Sequence, residues 1–213
     1  MRFSVLLGCY GDYPEYTLRA VNSVITNNRT FDLHVGCNIC GKKTIRILRE
    51  LYDESKIDTL IELNKNIYKD QMMRLLIERT QTEYALWIDD DSHVFSGWDV
   101  AISEFIDKNK PFDGAGQLFV AGRYPEYQEL SKLRPWWKSG HDESKDVYFP
   151  IGGLFMFRTD FMRKHDFPDR NMIQYYGDMF FGDLITQQKG VFKIFNENIV
   201  NKIKINDGAR RNK

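Results

Sequence analysis

The chain has 213 residues, a length that suits one compact domain with a sizeable hydrophobic core. Hydrophobic residues make up 42% and charged residues 28%, an ordinary globular composition that excludes a largely disordered chain. Lys plus Arg and Asp plus Glu each total 30, and this balance argues against a surface built throughout for nucleic acid.

The cysteines and the apolar runs bear on the compartment. Cys37 and Cys40 have the CxxC spacing of redox sites and of half a zinc site, but no second pair and no histidine pair at finger spacing follow. Apolar neighbours favour buried, reduced thiols and hence a reducing compartment. No apolar run suits a signal peptide or reaches the roughly 18 residues of a membrane span. We therefore expect a cytoplasmic protein without a transmembrane anchor.

The first 90 residues alternate between strand and helix patterns. Apolar stretches predict strands at residues 3–8, 31–37, 57–63 and 84–88. Helical spacing follows each of the first three, from Pro14, at 42–52 and around 72–79. This order predicts a mostly parallel sheet with helices on both faces. Ligands bind such sheets beyond the carboxyl ends of the strands, so we expect the loops at 8–12 and 89–93 to meet at one cleft.

The second half is less regular. We predict a helix at 97–108, a strand at 114–120, a loop at 121–146, a strand within 148–158 and a helix at 178–188. Residues 201–213 form a basic tail, which is a solvated terminus or a phosphate contact. We interpret residues 1–213 as a single domain with halves at 1–95 and 96–200.

Three consecutive aspartates, Asp89, Asp90 and Asp91, directly follow the apolar stretch 84–88. Adjacent carboxylates repel one another unless a cation or hydrogen bonds compensate. Hard ions such as Mg²⁺ and Mn²⁺ bind carboxylate and phosphate oxygens together, so the cluster favours a metal site that also takes a diphosphate. The alternative is a solvated acidic turn.

The segment 83–94, EYALWIDDDSHV, resembles the DXD region of GT-A glycosyltransferases, particularly the family 2-like group. Residues 5–19 are similar to the opening strand and first helix of those enzymes, and residues 64–82 to their arginine-bearing helix before the DXD strand. The resemblance implies an α/β GT-A fold, which is Rossmann-like with a mostly parallel central sheet flanked by helices and a smaller acceptor-side lobe. It also implies Mn²⁺ or Mg²⁺ as cofactor and a nucleoside diphosphate sugar as donor.

The same resemblance implies roles for individual residues. Asp89 and Asp91 would be metal ligands, with Asp91 the main one. A C-terminal histidine ligand is absent, so Asn206, Asp207, or diphosphate and water would complete the metal site. The first half would supply most nucleotide-sugar contacts, namely Cys9, Tyr10, Gly11, Asn38, Arg74, Asp89 and Asp90. Asn38 stands where the family usually has an acidic residue that touches the base, so the sequence does not specify the base.

A second resemblance lies further along the chain. A Gly-Gly strand, a Phe-Pro-Asp turn and a helix opened by an acidic pair occur in this order at 150–158, 167–169 and 177–184. By the resemblance, Gly152 and Gly153 let the backbone approach the donor sugar, although a β-bulge also explains them.

The acidic pair bears on the catalytic base. Its second member maps to Asp178, the expected base, with Asp183 as runner-up, while Gly177 replaces the first member. An inverting transfer needs such a carboxylate to take the acceptor's proton. A helix N-cap is the alternative interpretation of Asp178.

Aromatic residues concentrate in the least regular stretch. Trp136, Trp137 and Tyr176 are candidates for acceptor binding because aromatic faces stack on sugars and on bases. The alternative is a satellite hydrophobic cluster.

We therefore expect a metal-dependent, inverting glycosyltransferase that transfers sugar to an acceptor hydroxyl. The small size resembles compact phage glycosyltransferases, so a second candidate acceptor is a hydroxymethylated DNA base, which would need to be flipped, in a host cytoplasm. The same residues are also compatible with a retaining transferase, and with a non-catalytic module that binds a nucleotide sugar or a carbohydrate.

Overall fold

The computed structural model describes residues 2–25, 30–138, 146–172 and 176–205. Its strands are β1 (Phe3–Tyr10), β2 (Phe31–Asn38), β3 (Thr59–Leu63), β4 (Tyr84–Asp89), β5 (His93–Val94), β6 (Gly114–Ala121), β7 (Val147–Arg158), β8 (Phe192–Ile194) and β9 (Ile203–Lys204). Its helices are α1 (Pro14–Val24), α2 (Lys42–Asp53), α3 (Tyr68–Arg79), α4 (Trp98–Asn109), α5 (Pro125–Lys132), α6 (Thr159–Lys164), α7 (Gly177–Gln187) and α8 (Glu197–Val200).

Seven strands form the central sheet in the order β3-β2-β1-β4-β7-β6-β8, and β5 pairs with β9 beside it. The pairs β2–β3, β1–β2, β1–β4 and β6–β8 are parallel, and β7 runs antiparallel to both β4 and β6. This confirms the mostly parallel sheet expected from the sequence. Because β7 joins the two groups of strands, one continuous sheet runs through both halves of the chain.

Side chains alternate between the two faces of the sheet and so divide the core. On β4, Leu86 and Ile88 join a cluster with α1, α2 and α4, whereas Ala85 and Trp87 join a cluster with α3, α6 and α7. Trp87 lies against β1, where a β-carbon on Gly8 would be 2.6 Å from the indole ring. Each layer of helices therefore has its own packed core.

Five short elements, β5, β8, β9, α6 and α8, were not predicted from the sequence, and one segment predicted as a loop is helical. Residues 125–132 form the helix α5, whereas we expected a loop across 121–146. Pro125 occupies the first turn of the helix, where its missing N–H costs nothing, and the buried Tyr127 anchors the helix to the core. The charged run at 141–145 and the tail from 206 lie outside the described residues, and no described helix has the length and apolar character to span a membrane.

The contact between α7 and β7 gives a stability prediction. A β-carbon on Gly182 would overlap the backbone carbonyl of Tyr148 and lie 2.8 Å from Cβ of Phe149. We expect Gly182→Ala to lower the free energy of unfolding by about 2 kcal/mol or more, measured by urea denaturation, because the helix must move off the strand. Gly122→Ala is the matched control, since a β-carbon there would lie 3.9 Å from its nearest neighbour atom. Equal denaturation midpoints for the two variants would contradict this packing.

Candidate active site

A cleft with a cavity volume of about 210 Å³ opens at the carboxyl ends of β1, β2 and β4. It lies where the strand order reverses, with β2 and β4 on opposite sides of β1, which is the usual ligand position in open α/β sheets. The lining residues are Gly8, Cys9, Tyr10, Asn38, Asn66, Tyr68, Lys69, Met72, Trp87, Asp89, Asp90 and Asp91. The expected meeting of the loops after β1 and β4 is thus present.

The three consecutive aspartates have different surroundings. Asp90 is 3% exposed, and its Oδ2 accepts hydrogen bonds from the backbone N–H of Tyr10 and the hydroxyl of Thr17, both at 3.0 Å. It therefore ties the end of β4 to β1 and α1. Asp89 and Asp91, its two neighbours in the sequence, also line the cleft.

A lysine that the sequence analysis did not single out neutralises Asp89. The ammonium of Lys69 donates to Oδ2 of Asp89 at 2.8 Å and to the carbonyl of Gly152 at 2.5 Å. The indole N–H of Trp87 donates to Oδ1 of Asp89 at 2.6 Å. Both oxygens of Asp89 are therefore engaged by the protein itself.

Asp178 lies beside the same lysine. A β-carbon on Gly152 would be 2.9 Å from Oδ2 of Asp178 and 3.6 Å from Nζ of Lys69. The glycine thus leaves the space in which a carboxylate from α7 and an ammonium from α3 approach β7. The structure brings together the two groups expected from the sequence, the DXD end of β4 and the start of α7.

Gly177 has a structural explanation. A β-carbon there would overlap Oδ1 of Asp70, a residue of α3 that is 5% exposed. The carboxylates of Asp70 and Asp178 therefore both stand at the start of α7. Sequence analysis missed Asp70 because it lies more than 100 positions away along the chain.

Burial shapes the charges of this group. It raises the pKa of Asp70 to about 6, with Lys69 opposing the shift and Asp178 adding to it. Burial also raises the pKa of Asp178, again with Lys69 opposing. Burial alone would lower the pKa of Lys69, but the pairing with Asp89 outweighs it and the pKa rises. Lys69 is therefore a stable cation among three carboxylates.

The end of the cleft at Tyr10 and Asn38 is uncharged. The amide of Asn38 donates to Oδ1 of Asn66 at 2.9 Å and accepts from the backbone N–H of Ile67 at 2.9 Å. Tyr10 is half exposed at the rim, and Gly11 next to it has φ 73°, a conformation that favours glycine. The buried thiol of Cys9 faces Cys37 and Cys40, and burial raises its pKa, which fits the expected reduced cysteines.

Two expected site residues point elsewhere. The guanidinium of Arg74 donates to Asp166 at 2.5 Å and to the carbonyl of Pro168 at 2.9 Å, outside the cleft lining. Asp183 is 1% exposed and forms a two-bond ion pair with Arg123 at 2.5 Å. We therefore withdraw Arg74 as a donor contact and Asp183 as a candidate base.

The three aromatic residues expected to bind the acceptor differ in burial. Trp136 is 4% exposed and packs against Phe167 and Phe180, so we withdraw it as an acceptor contact and assign it to the core. Trp137 and Tyr176 are half-buried on the edge of the same cluster and remain candidates.

The side chains that line the cleft can be compared with what a metal ion needs as ligands. The described ranges contain no group of three His, Cys, Asp or Glu side chains arranged to hold an ion. Mg²⁺ and Mn²⁺ need only one or two carboxylates when phosphates and water complete the shell. Asp91 fits that role, whereas the oxygens of Asp89 already accept from Trp87 and Lys69.

No protein-family profile and no curated protein sequence matches the chain, but solved structures do. S. aureus TarS superposes with a TM-score of 0.65 at 16% identity, over 92% of this chain and 35% of TarS. The Pyrobaculum calidifontis mannosyltransferase PcManGT, solved with GDP-Man and Mn²⁺, gives 0.66 at 10% identity, over 92% and 55%. GalNAc-T7, solved with UDP, GalNAc and Mn²⁺, gives 0.66 at 13% identity, over 91% and 42%.

The chain has a GT-A fold. This confirms the fold expected from the DXD-like and Gly-Gly segments. The chain spans between about a third and just over half of the length of these three proteins, all of which are larger. At such low identities the likeness concerns the fold, and the activity has to be argued from the cleft.

The reassignment of Asp183 gives a second stability prediction. Its carboxylate holds Arg123 and the hydroxyl of Tyr127 in a buried network, so Asp183→Asn leaves a buried guanidinium without its counter-charge. We expect the free energy of unfolding to fall by about 3 kcal/mol, measured by chemical denaturation. The control is Asp160→Asn, whose carboxylate is 84% exposed and which should change stability by less than about 0.5 kcal/mol. Asp183→Asn as stable as its control would contradict the structural role.

Proposed function

We propose that this chain is a glycosyltransferase that moves a sugar from a nucleoside diphosphate sugar to an acceptor hydroxyl with inversion. The observation that carries the proposal is the convergence of Asp89, Lys69, Gly152 and Asp178 at the carboxyl edge of a GT-A sheet. This convergence sets a donor cleft directly against a carboxylate suited to general-base work.

The donor is assigned to the cleft by its shape and polarity. The uncharged end at Tyr10 and Asn38 takes the nucleoside, and the charged end at Asp89 and Asp91 takes the diphosphate. The similar folds of PcManGT, solved with GDP-Man, and of TarS, solved with UDP-GlcNAc, support a nucleotide-sugar donor without fixing the base.

A divalent ion, Mn²⁺ or Mg²⁺, is part of the proposal. Asp91 is the residue that holds it, together with oxygens of the donor diphosphate. The ion would offset charge on the leaving nucleoside diphosphate. The Mn²⁺ present in the PcManGT and GalNAc-T7 structures supports the use of a divalent ion.

Asp178 is the base of the proposed reaction. Inversion requires a carboxylate that removes a proton from the acceptor hydroxyl on the side of the sugar opposite the leaving group. Tyr176, immediately before α7, has φ 61°. A positive φ strains the backbone of a residue with a side chain, and such strain is often found at functional sites. The backbone N–H of Met179 donates to Oδ1 of Asp178 at 2.9 Å and so fixes its rotamer.

The proposed function is tested by a donor panel. UDP-, GDP- and CMP-sugars are incubated with and without Mn²⁺, and saccharides and hydroxymethylated DNA are offered as acceptors. We expect binding and slow hydrolysis or transfer of one donor, weakened in Asp91→Asn and unchanged in Asp160→Asn. The anomeric configuration of the product separates inversion from retention. A wild type that binds none of these donors under any metal condition would contradict the proposal, and one that binds donor without turnover would favour the binding module.

The base assignment predicts a pH profile. Because burial raises the pKa of Asp178, we expect kcat/KM to fall as pH drops through a value above the usual carboxyl pKa of about 3.9, since only the ionised form accepts a proton. Asp178→Asn should lower turnover by about 10²- to 10⁴-fold while donor binding persists. Steady-state kinetics and calorimetry measure the two effects, with Asp160→Asn as control. Full turnover in Asp178→Asn would exclude this residue as the base.

A further inference from the structure

Among the described residues, Lys69 is the one cationic side chain that lines the cleft. Its side chain is 36% exposed and lines the cleft, and its ammonium is held by the protein. An ammonium has three N–H donors, and the hydrogen bonds to Asp89 and Gly152 use two of them. One N–H donor of the ammonium is therefore left for a ligand.

The position of this ammonium is closely determined. It lies between β4, through Asp89, and β7, through Gly152, and is 5.7 Å from the centre of the Trp87 ring. Tyr68, the residue before it, has φ 65°, a conformation unusual for a residue with a side chain. The backbone at the start of α3 therefore departs from helical geometry directly before Lys69.

The charged groups around Lys69 indicate which kind of ligand it contacts. Asp70, Asp89 and Asp178 act on it electrostatically, and Asp91 borders the same cleft. Without a cation, this edge of the sheet would repel an anionic ligand. A compact ammonium suits phosphate as a point charge, as in other phosphate-binding lysines.

We propose that Lys69 is a donor-binding residue whose ammonium, fixed between Asp89 and the carbonyl of Gly152, contacts the diphosphate of the nucleotide sugar. Asp89 then holds this cation in place, and Asp91 is left to the divalent ion. The proposal rests on the proposed function, because it assigns a residue to the donor end of the same cleft. One cationic group at the diphosphate is then built into the chain.

The test is calorimetric binding of UDP, GDP and the phosphate-free nucleosides uridine and guanosine, each with Mn²⁺ and with EDTA. The variants are Lys69→Met, Lys69→Arg and Lys65→Met, the last an exposed lysine just before α3 and outside the cleft lining. Thermal melts check that each variant folds. If Lys69→Met does not fold, Lys69→Arg, which keeps the positive charge, is compared with the wild type instead.

We expect the wild type to bind one diphosphate in EDTA as well as in Mn²⁺. Lys69→Met should weaken that binding about 10- to 100-fold in both conditions, as expected for a lost charged hydrogen bond. Lys69→Arg should lose less affinity for the diphosphate, and Lys65→Met should lose none. The affinity for the matching nucleoside should stay the same in all variants.

Three results would overturn the inference. Equal diphosphate affinity in wild type and folded Lys69→Met would remove Lys69 from the donor contacts. An equal loss for diphosphate and nucleoside would make it a structural residue of the cleft. A wild type that binds neither UDP nor GDP with or without Mn²⁺ would instead reject the proposed function, and the inference with it.

Discussion

The end of β4 places three consecutive carboxylates at one edge of the sheet, and the rest of the site depends on how they are accommodated. Asp90 turns inward and accepts from Tyr10 and Thr17, so its charge is used in joining β4 to β1 and α1. Asp89 is neutralised by Lys69 and the Trp87 indole. The protein therefore satisfies two of the three carboxylates itself, and Asp91 lines the cleft beside them.

The same lysine links the two halves of the proposed chemistry. Through Asp89 it belongs to the wall of the donor cleft, and through Gly152 it reaches the strand against which Asp178 lies. The small residues at 152 and 177 make this possible, since a side chain at either position would displace a carboxylate. The proposed donor contacts and the proposed base therefore belong to one connected group of contacts rather than to two separate sites.

The local sequence patterns predicted much of the fold. Apolar strands followed by helical spacing predicted β1 to β4 with the three helices between them, and the DXD-like segment located the cleft. The helix α5 was missed because it is short and surrounded by loop residues, and because its anchor Tyr127 is buried by contacts with α7. Such contacts leave no periodic signal in a single sequence.

Helix geometry explains the errors in the site. Arg74 and Lys69 lie five positions apart on α3, as do Asp178 and Asp183 on α7, a rotation of roughly 140° around a helix axis. In each pair one residue faces the cleft region and the other is directed into an ion pair elsewhere. A motif identifies the helix, but the way the helix is seated on the sheet decides which of its charged residues enters the site.

The most direct test of this account is a crystal structure of the chain with the nucleoside diphosphate that it binds and Mn²⁺. The account predicts the nucleoside between Tyr10 and Asn38, the diphosphate beside Lys69, and the ion on Asp91. A diphosphate bound away from the carboxyl ends of β1 and β4 would contradict the assignment of this cleft as the donor site.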